Sequence, residues 1–208
     1  MNLPNKLTCI RMLLGPIIVI FAYLPIEAFE SQCGFIPVRF LVLLALFCIG
    51  SITDYFDGEI ARKKNLVTTF GKFLDPIADK LLVVACLLVL AEFDLIPVWI
   101  IFVTEARELL VAASRMLQAK NGNVVAASWY GKVKTVSQMI AIILAFLSAS
   151  PFFAFVDGIE SEAFANGGMA QYVLNIFMSI AMCVALITAV FSGWDYIKAS
   201  KQLIMESK

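Results

Sequence analysis

The chain contains no histidine. That absence removes imidazole bases, Ser-His nucleophile pairs and the commonest zinc ligand in one step. Charge is scarce too: 15% of the 208 residues are Asp, Glu, Lys or Arg, against 61% hydrophobic. So apolar a composition excludes an ordinary soluble domain and points to an integral membrane protein. The 16 basic and 16 acidic residues cancel, so information lies in where charges stand rather than in their sum, and no nucleic-acid partner is expected. Cysteine is sparse and scattered. Cys9, Cys33, Cys48, Cys86 and Cys183 are odd in number and form no C-x-x-C, so they read as inert thiols rather than metal ligands or disulfides. Internal repeats and low-complexity segments are missing, so residues 1–208 read as a single membrane domain.

What is present is a series of long apolar runs. A transmembrane helix needs about 20 apolar residues, and six candidates emerge: Thr8–Ala28, Val38–Tyr55, Leu74–Ala91, Leu95–Leu117, Val133–Val156 and Tyr172–Ile197. The second is expected to continue as helix through Arg62. The first run carries Arg11 and is longer than a signal-peptide core, so an uncleaved span is expected. Pro16 and Pro76 predict local kinks or a cap, Pro97 suits a first helical turn, and Asn121-Gly122 and Gly167-Gly168 mark loops.

The lysines and arginines gather in alternate loops and span ends. The intervening loops hold Glu27, Glu30, Glu92, Asp94, Asp157, Glu160 and Glu162, with Arg39 as their only basic residue. The positive-inside rule then places both termini in the cytoplasm. The expected architecture is an all-α membrane protein with six transmembrane helices.

Four carboxylates break the apolar pattern where the second and third spans meet that cytoplasmic face: Asp54, Asp57, Asp75 and Asp79. Their spacings, i,i+3 and i,i+4, put each pair on one helix face. A carboxylate at bilayer depth costs roughly 2.5–3.5 kcal/mol on insertion scales, and four close together also repel. Divalent cations are the natural neutralisers, and an all-oxygen set suits magnesium or manganese.

The full pattern is Asp54-x2-Asp57-Gly58-x2-Ala61-Arg62-x8-Gly71-x3-Asp75-x3-Asp79. It resembles the signature of the CDP-alcohol phosphotransferases at all eight defined positions. The resemblance implies a six-helix enzyme of the inner or plasma membrane, active on its cytoplasmic side, in which an alcohol attacks a CDP-linked lipid and CMP leaves. It further implies that the four aspartates hold divalent ions, two in number, and that Asp79 is the base. Gly58, Ala61 and Gly71 would leave room for the nucleotide, Arg62 offers a planar fork to phosphate oxygens, and Thr68 falls where the family has a nucleotide contact.

A second constellation bears on the acceptor. Glu105, Arg107 and Glu108 lie inside the fourth span, Arg115 two turns after Arg107, and Lys132 and Lys134 open the fifth span in Gly131-Lys132-Val133-Lys134-Thr135. Together Arg107, Arg115, Lys132 and Lys134 read as a basic pocket for a phosphate monoester; Arg107 could instead simply pair with Glu108.

The segments N-L-P-N-K-L-T-C-I-R-M, G-K-V-K-T and Ser192-Gly193-Trp194-Asp195-Tyr196 are similar to those of bacterial family members that use sn-glycerol 3-phosphate. By that likeness the donor is CDP-diacylglycerol, Asn5 and Thr8 lie beside the nucleotide, Arg11 faces the site, and the protein is a homodimer among membrane lipids. Trp194 and Tyr196 read as interfacial anchors. Other acceptors (phosphatidylglycerol, inositol phosphate or serine) are the alternatives within the family. From another class, a cation transporter would need ionisable groups through both halves of the bilayer.

Overall fold

Helix ends fall where the chain loses its ability to continue the backbone ladder. The computed structural model describes residues 3–63, 69–120 and 128–206, with side chains described for 7–54, 71, 74–119 and 128–198. Helix α1 (Leu3–Tyr23) stops ahead of Leu24-Pro25, because proline disfavours helical geometry in the residue before it. Arg39 then donates from Nη1 to the Ala22 carbonyl at 2.7 Å, satisfying an end the helix leaves open. The first span is therefore shorter than the expected reach to Ala28. A four-residue helix α2 (Glu27–Glu30) and a two-residue hairpin follow, β1 (Gln32–Cys33) pairing antiparallel with β2 (Ile36–Pro37). That hairpin is the one β structure among the described residues. Its Gly34 takes φ +70, which a glycine adopts without the clash a Cβ would bring.

Four long helices complete the bundle: α3 (Val38–Lys63), α4 (Thr69–Glu92), α5 (Val98–Lys120) and α6 (Trp129–Ser148), before the 39-residue α7 (Gly168–Glu206). As expected, α3 continues past Arg62, and Pro97 immediately precedes α5. Pro16 and Pro76 sit inside unbroken helices. The expected Asn121-Gly122 loop lies outside the described residues, and Gly168 opens α7 at φ +50.

Helix α6 stops at Ser148 rather than at the expected Val156. Ala149 swings into the left-handed region (φ 48), with its N–H on the Ala145 carbonyl at 3.0 Å. The Ser148 carbonyl released there is met by α7, whose Gln171 Nε2 donates to it at 2.8 Å, and in the loop beyond Asn175 Nδ2 donates to the Pro151 carbonyl at 2.8 Å. A helix can end inside a protein only when such partners are present.

The long helices alternate in direction, α1, α4 and α6 leaving the end of the bundle at which α3, α5 and α7 finish. Helix α1 packs on α3 and α4, and α7 on α5 and α6. Ile18, Leu43, Phe47, Leu87, Ile142, Phe146 and Met182 fill the centre. The outer surface is apolar as well, with Leu13, Phe102, Leu109, Met116 and Val190 exposed. A protein greasy on both sides of its helices is solvated by lipid, so the fold is that of a helical membrane protein. Among the described residues, Trp129–Ser148 and Gly168–Lys198 are the two stretches long and apolar enough to cross a bilayer on composition alone. Helices α3, α4 and α5 also carry the ionisable side chains of the site described next.

Close approach of α1, α3 and α4 depends on two glycines. A Cβ on Gly15 would lie 3.1 Å from Leu81 Cγ and 3.2 Å from the Leu81 carbonyl oxygen, and one on Gly50 2.7 Å from Leu82 Cδ2. Since a backbone carbonyl cannot turn aside, Gly15→Leu is expected to push α1 off α4 and destabilise the protein by about 1–3 kcal/mol. Thermal unfolding in detergent micelles measures it.

Candidate active site

The charged residues of five helices converge at one end of the bundle. Arg11 of α1 is 1% exposed, and its Nη1 donates to Oδ1 of both Asp54 on α3 and Asp79 on α4. One turn earlier, buried Thr8 donates from Oγ1 to Asp75 Oδ1 at 2.7 Å. Thr8 with Asp75 and Arg11 with Asp79 keep the same order along two helices that run in parallel, at spacings of three and four residues that stay in phase.

Asp54 and Asp79 would repel one another across this gap, and a guanidinium at their shared vertex turns repulsion into attraction. Burial is uneven. The arginine is enclosed, while the two aspartates keep 45% and 48% of their side-chain surface open, so a cation approaching from outside still finds carboxylate oxygen. Among the described residues no three acidic, histidine or cysteine side chains gather as a metal cage; the side chain of Asp57 lies outside them. The donor set nonetheless fits a hard divalent ion: it is all oxygen, and it already closes around a positive centre.

Asp57, Gly58, Ala61 and Arg62 continue α3 beyond Asp54, and Asn5 lies in the first turn of α1, with side chains outside the described ones. Gly71 is buried in the first turn of α4, one turn before Asp75. Thr68 lies outside the described residues.

Beside the aspartates stands a basic cluster built on Glu108. Its Oε1 accepts from Arg107 Nη1 at 2.7 Å and from Lys134 Nζ at 2.9 Å, and Lys80 Nζ lies 3.7 Å from Oε2. The Arg107–Glu108 pair thus forms, within a group of three cations. Two cavities flank it. The larger, about 610 Å³, is lined by Lys80, Arg107, Arg115 and Lys132. The smaller, about 230 Å³, is lined by Lys134, Glu105, Gln138 and Asp79. Pro76, Lys80, Glu108 and Thr135 border both. Arg107, Arg115 and Lys132 are therefore brought to one cavity, and Lys134 to its neighbour beside Asp79.

Sequence reasoning missed two kinds of residue here. Lys80 stands next to Asp79 and borders both cavities, yet a lysine at a span's cytoplasmic end reads first as topogenic. Tyr196 is not an interfacial anchor: it is buried, and its Oη accepts from Arg115 Nη2 at 3.0 Å. Trp194, by contrast, is exposed with Lys198 over its ring.

A helical bundle apolar on its outer surface, with carboxylates and a basic cavity at one end, fits the class of helical membrane proteins with a charged site at one end. The family model of the CDP-alcohol phosphatidyltransferases matches residues 1–194, and the chain belongs to that family. This family uses divalent metals. A Bacillus subtilis (strain 168) protein named CDP-diacylglycerol–glycerol-3-phosphate 3-phosphatidyltransferase is 41% identical over 208 residues, covering 99% of this chain and 98% of its own. A Rickettsia felis protein of the same name is 34% identical, covering 97% and 96%. A third, from Salmonella choleraesuis, is 42% identical over 145 residues, 68% of this chain and 74% of its own.

Removing Arg11 leaves Asp54 and Asp79 facing each other without a buried counter-charge. Arg11→Ala is expected to lose about 1–2 kcal/mol in chelator, a modest figure because both carboxylates are half-exposed. Magnesium should restore more stability to the variant than to wild type, as read by thermal melting with and without the ion.

Proposed function

We propose that the protein transfers the phosphatidyl group of CDP-diacylglycerol to sn-glycerol 3-phosphate, giving phosphatidylglycerophosphate and CMP. The observation that carries this reading is the adjacency of two unlike sites. Asp79 lines one cavity, and the next presents Lys80, Arg107, Arg115 and Lys132. A nucleotide-lipid pyrophosphate needs the first and a phosphorylated acceptor needs the second. Full-length similarity to proteins named for this reaction agrees with it.

In this reading the six long helices span the membrane with both termini in the cytoplasm, and two copies associate as a homodimer. CDP-diacylglycerol keeps its acyl chains in the bilayer and brings its head to the aspartates, with Asn5, Thr8, Gly58, Ala61, Arg62, Thr68 and Gly71 along the nucleotide. Asp54, Asp57, Asp75 and Asp79 would hold magnesium or manganese, as two ions. When bound, these ions supply charge stabilisation for the phosphate oxygens.

The chain's own residues do the rest. Thr8 fixes Asp75, and Arg11 keeps Asp54 and Asp79 together. Arg107, Arg115 and Lys132 hold the acceptor phosphate, and its three-carbon body extends past Lys80 and Thr135 toward Asp79, where Lys134 lines the neighbouring cavity. The primary hydroxyl of glycerol 3-phosphate then attacks the phosphorus bearing diacylglycerol. The bond from that phosphorus to the bridging oxygen breaks, CMP departs with that oxygen, and Asp79 takes the hydroxyl proton. Holding both reactants in line converts a bimolecular encounter into an intramolecular step.

Asp79→Asn keeps the shape and removes the proton acceptor, so turnover should fall by about 10²–10⁴-fold. Purified protein given CDP-diacylglycerol with each candidate alcohol in turn should release CMP with glycerol 3-phosphate. Its product should be identified by mass as phosphatidylglycerophosphate, and chelation of divalent ions should abolish it. A different productive alcohol would overturn the acceptor assignment.

A further inference from the structure

We infer that Ser192 and Tyr196 of α7 are positioning residues that aim Arg107 and Arg115 at the acceptor phosphate. The inference rests on reading the larger cavity as the acceptor-phosphate site.

Both are buried, Ser192 fully and Tyr196 at 3% exposure. Ser192 Oγ accepts from Arg107 Nη2 at 2.5 Å, and Tyr196 Oη from Arg115 Nη2 at 3.0 Å, with the Arg115 guanidinium 5.5 Å from the centre of the same ring. Arg107 and Arg115 are eight residues apart, about 12 Å along α5, whereas their two partners are four residues apart, about 6 Å along α7. Bonding to the closer pair draws the two guanidiniums together. Converging cationic forks are what a phosphate monoester needs.

The partners' chemistry matters as much as their spacing. Glu108 already pulls on Arg107 Nη1 at 2.7 Å and cancels part of its charge. A serine hydroxyl and a phenol orient a guanidinium without neutralising it, so its charge stays available to an incoming anion. The space around Arg107 is cut to match. A Cβ on Gly131 would lie 3.0 Å from Arg107 Nη2, and one on Gly193 3.6 Å from Arg107 Cγ. Ser128 caps α6 by accepting from the Gly131 N–H at 3.2 Å, and its Oγ lies 3.2 Å from Ser192 Oγ. The G-K-V-K-T and S-G-W-D-Y segments therefore meet on one arginine, which gives the second of them a task beyond spanning.

The test compares Ser192→Ala, Tyr196→Phe, Arg107→Ala and Arg115→Ala in the purified full-length protein. Each substrate is varied in turn, and inorganic phosphate serves as a competing ligand. For Ser192→Ala and Tyr196→Phe, the KM for glycerol 3-phosphate and the Ki for inorganic phosphate should rise about three- to tenfold. kcat and the KM for CDP-diacylglycerol should stay within about twofold. Loss of kcat with an unchanged acceptor KM would mean a merely structural role and overturn the inference. If Arg107→Ala or Arg115→Ala raises the acceptor KM while the α7 variants do not, the positioning role fails and the pocket stands. If neither arginine variant moves the acceptor KM, the pocket assignment fails and the inference falls with it.

Discussion

Arg11 ties α1, α3 and α4 together at the site end of this bundle. Asp54 and Asp79 arrive on different helices with the same charge, and with about half of each side chain open, solvent screens their repulsion only in part. Arg11 Nη1 donates to both, which makes the approach of α3 to α4 attractive at the point where it would otherwise be most repulsive. Apolar packing alone would let these helices slide. The glycine contacts at Gly15 and Gly50 set how near they come, and the arginine sets where the carboxylates stand once they are there. Its burial on the inner side leaves part of each carboxylate open on the outer side.

The two ends of the bundle solve different problems with different chemistry. At the site end, ionisable groups crowd together and neutralise one another in pairs and triplets. At the other end, the break in α6 at Ala149 is met by the neutral amides of Gln171 and Asn175. The task there is only to satisfy released carbonyls, as Arg39 also does for that of Ala22. That asymmetry separates this arrangement from an ion pathway: the described charged side chains do not thread from one end of the bundle to the other, and the middle is filled by Leu43, Phe47, Phe146 and Met182. Helix α7 belongs to both ends, capping the α6 break with its first turns and bonding Arg107 and Arg115 with its later ones.

Much of this was legible in the sequence, for physical reasons that differ by residue. Carboxylates at i,i+3 and i,i+4 in a greasy chain stand out because each is so costly there, and the helical period already placed Asp75 and Asp79 on one face. The cations Arg107, Arg115, Lys132 and Lys134 were legible for the same reason. Helix ends were less so. Hydropathy sees apolar residues continue past both Tyr23 and Ser148, whereas the ladder stops where Pro25 and the left-handed Ala149 interrupt it. Ser192 and Tyr196 were the hardest to read. A serine and a tyrosine near the end of an apolar helix carry no charge to betray them, and their partners lie 85 and 81 residues away in the chain. Only the packing of α7 on α5 reveals them.

Charge balance in the larger cavity favours one chemical class of ligand. Lys80, Arg107, Arg115 and Lys132 line it against one carboxylate, Glu108, so four positive charges face one negative. Serine, a zwitterion, would leave that excess uncompensated. A phosphate monoester, near its dianionic form at neutral pH, offsets most of it and presents several acceptor oxygens to the lysine and arginine donors. It also explains why Glu108 belongs there. Without it, Arg107, Lys134 and Lys80 would repel one another and splay before any anion arrived. With it, they are held close to a shared carboxylate while their combined charge stays positive. The cluster is thus preorganised for an anion rather than assembled by one, which lowers the ordering cost of binding one.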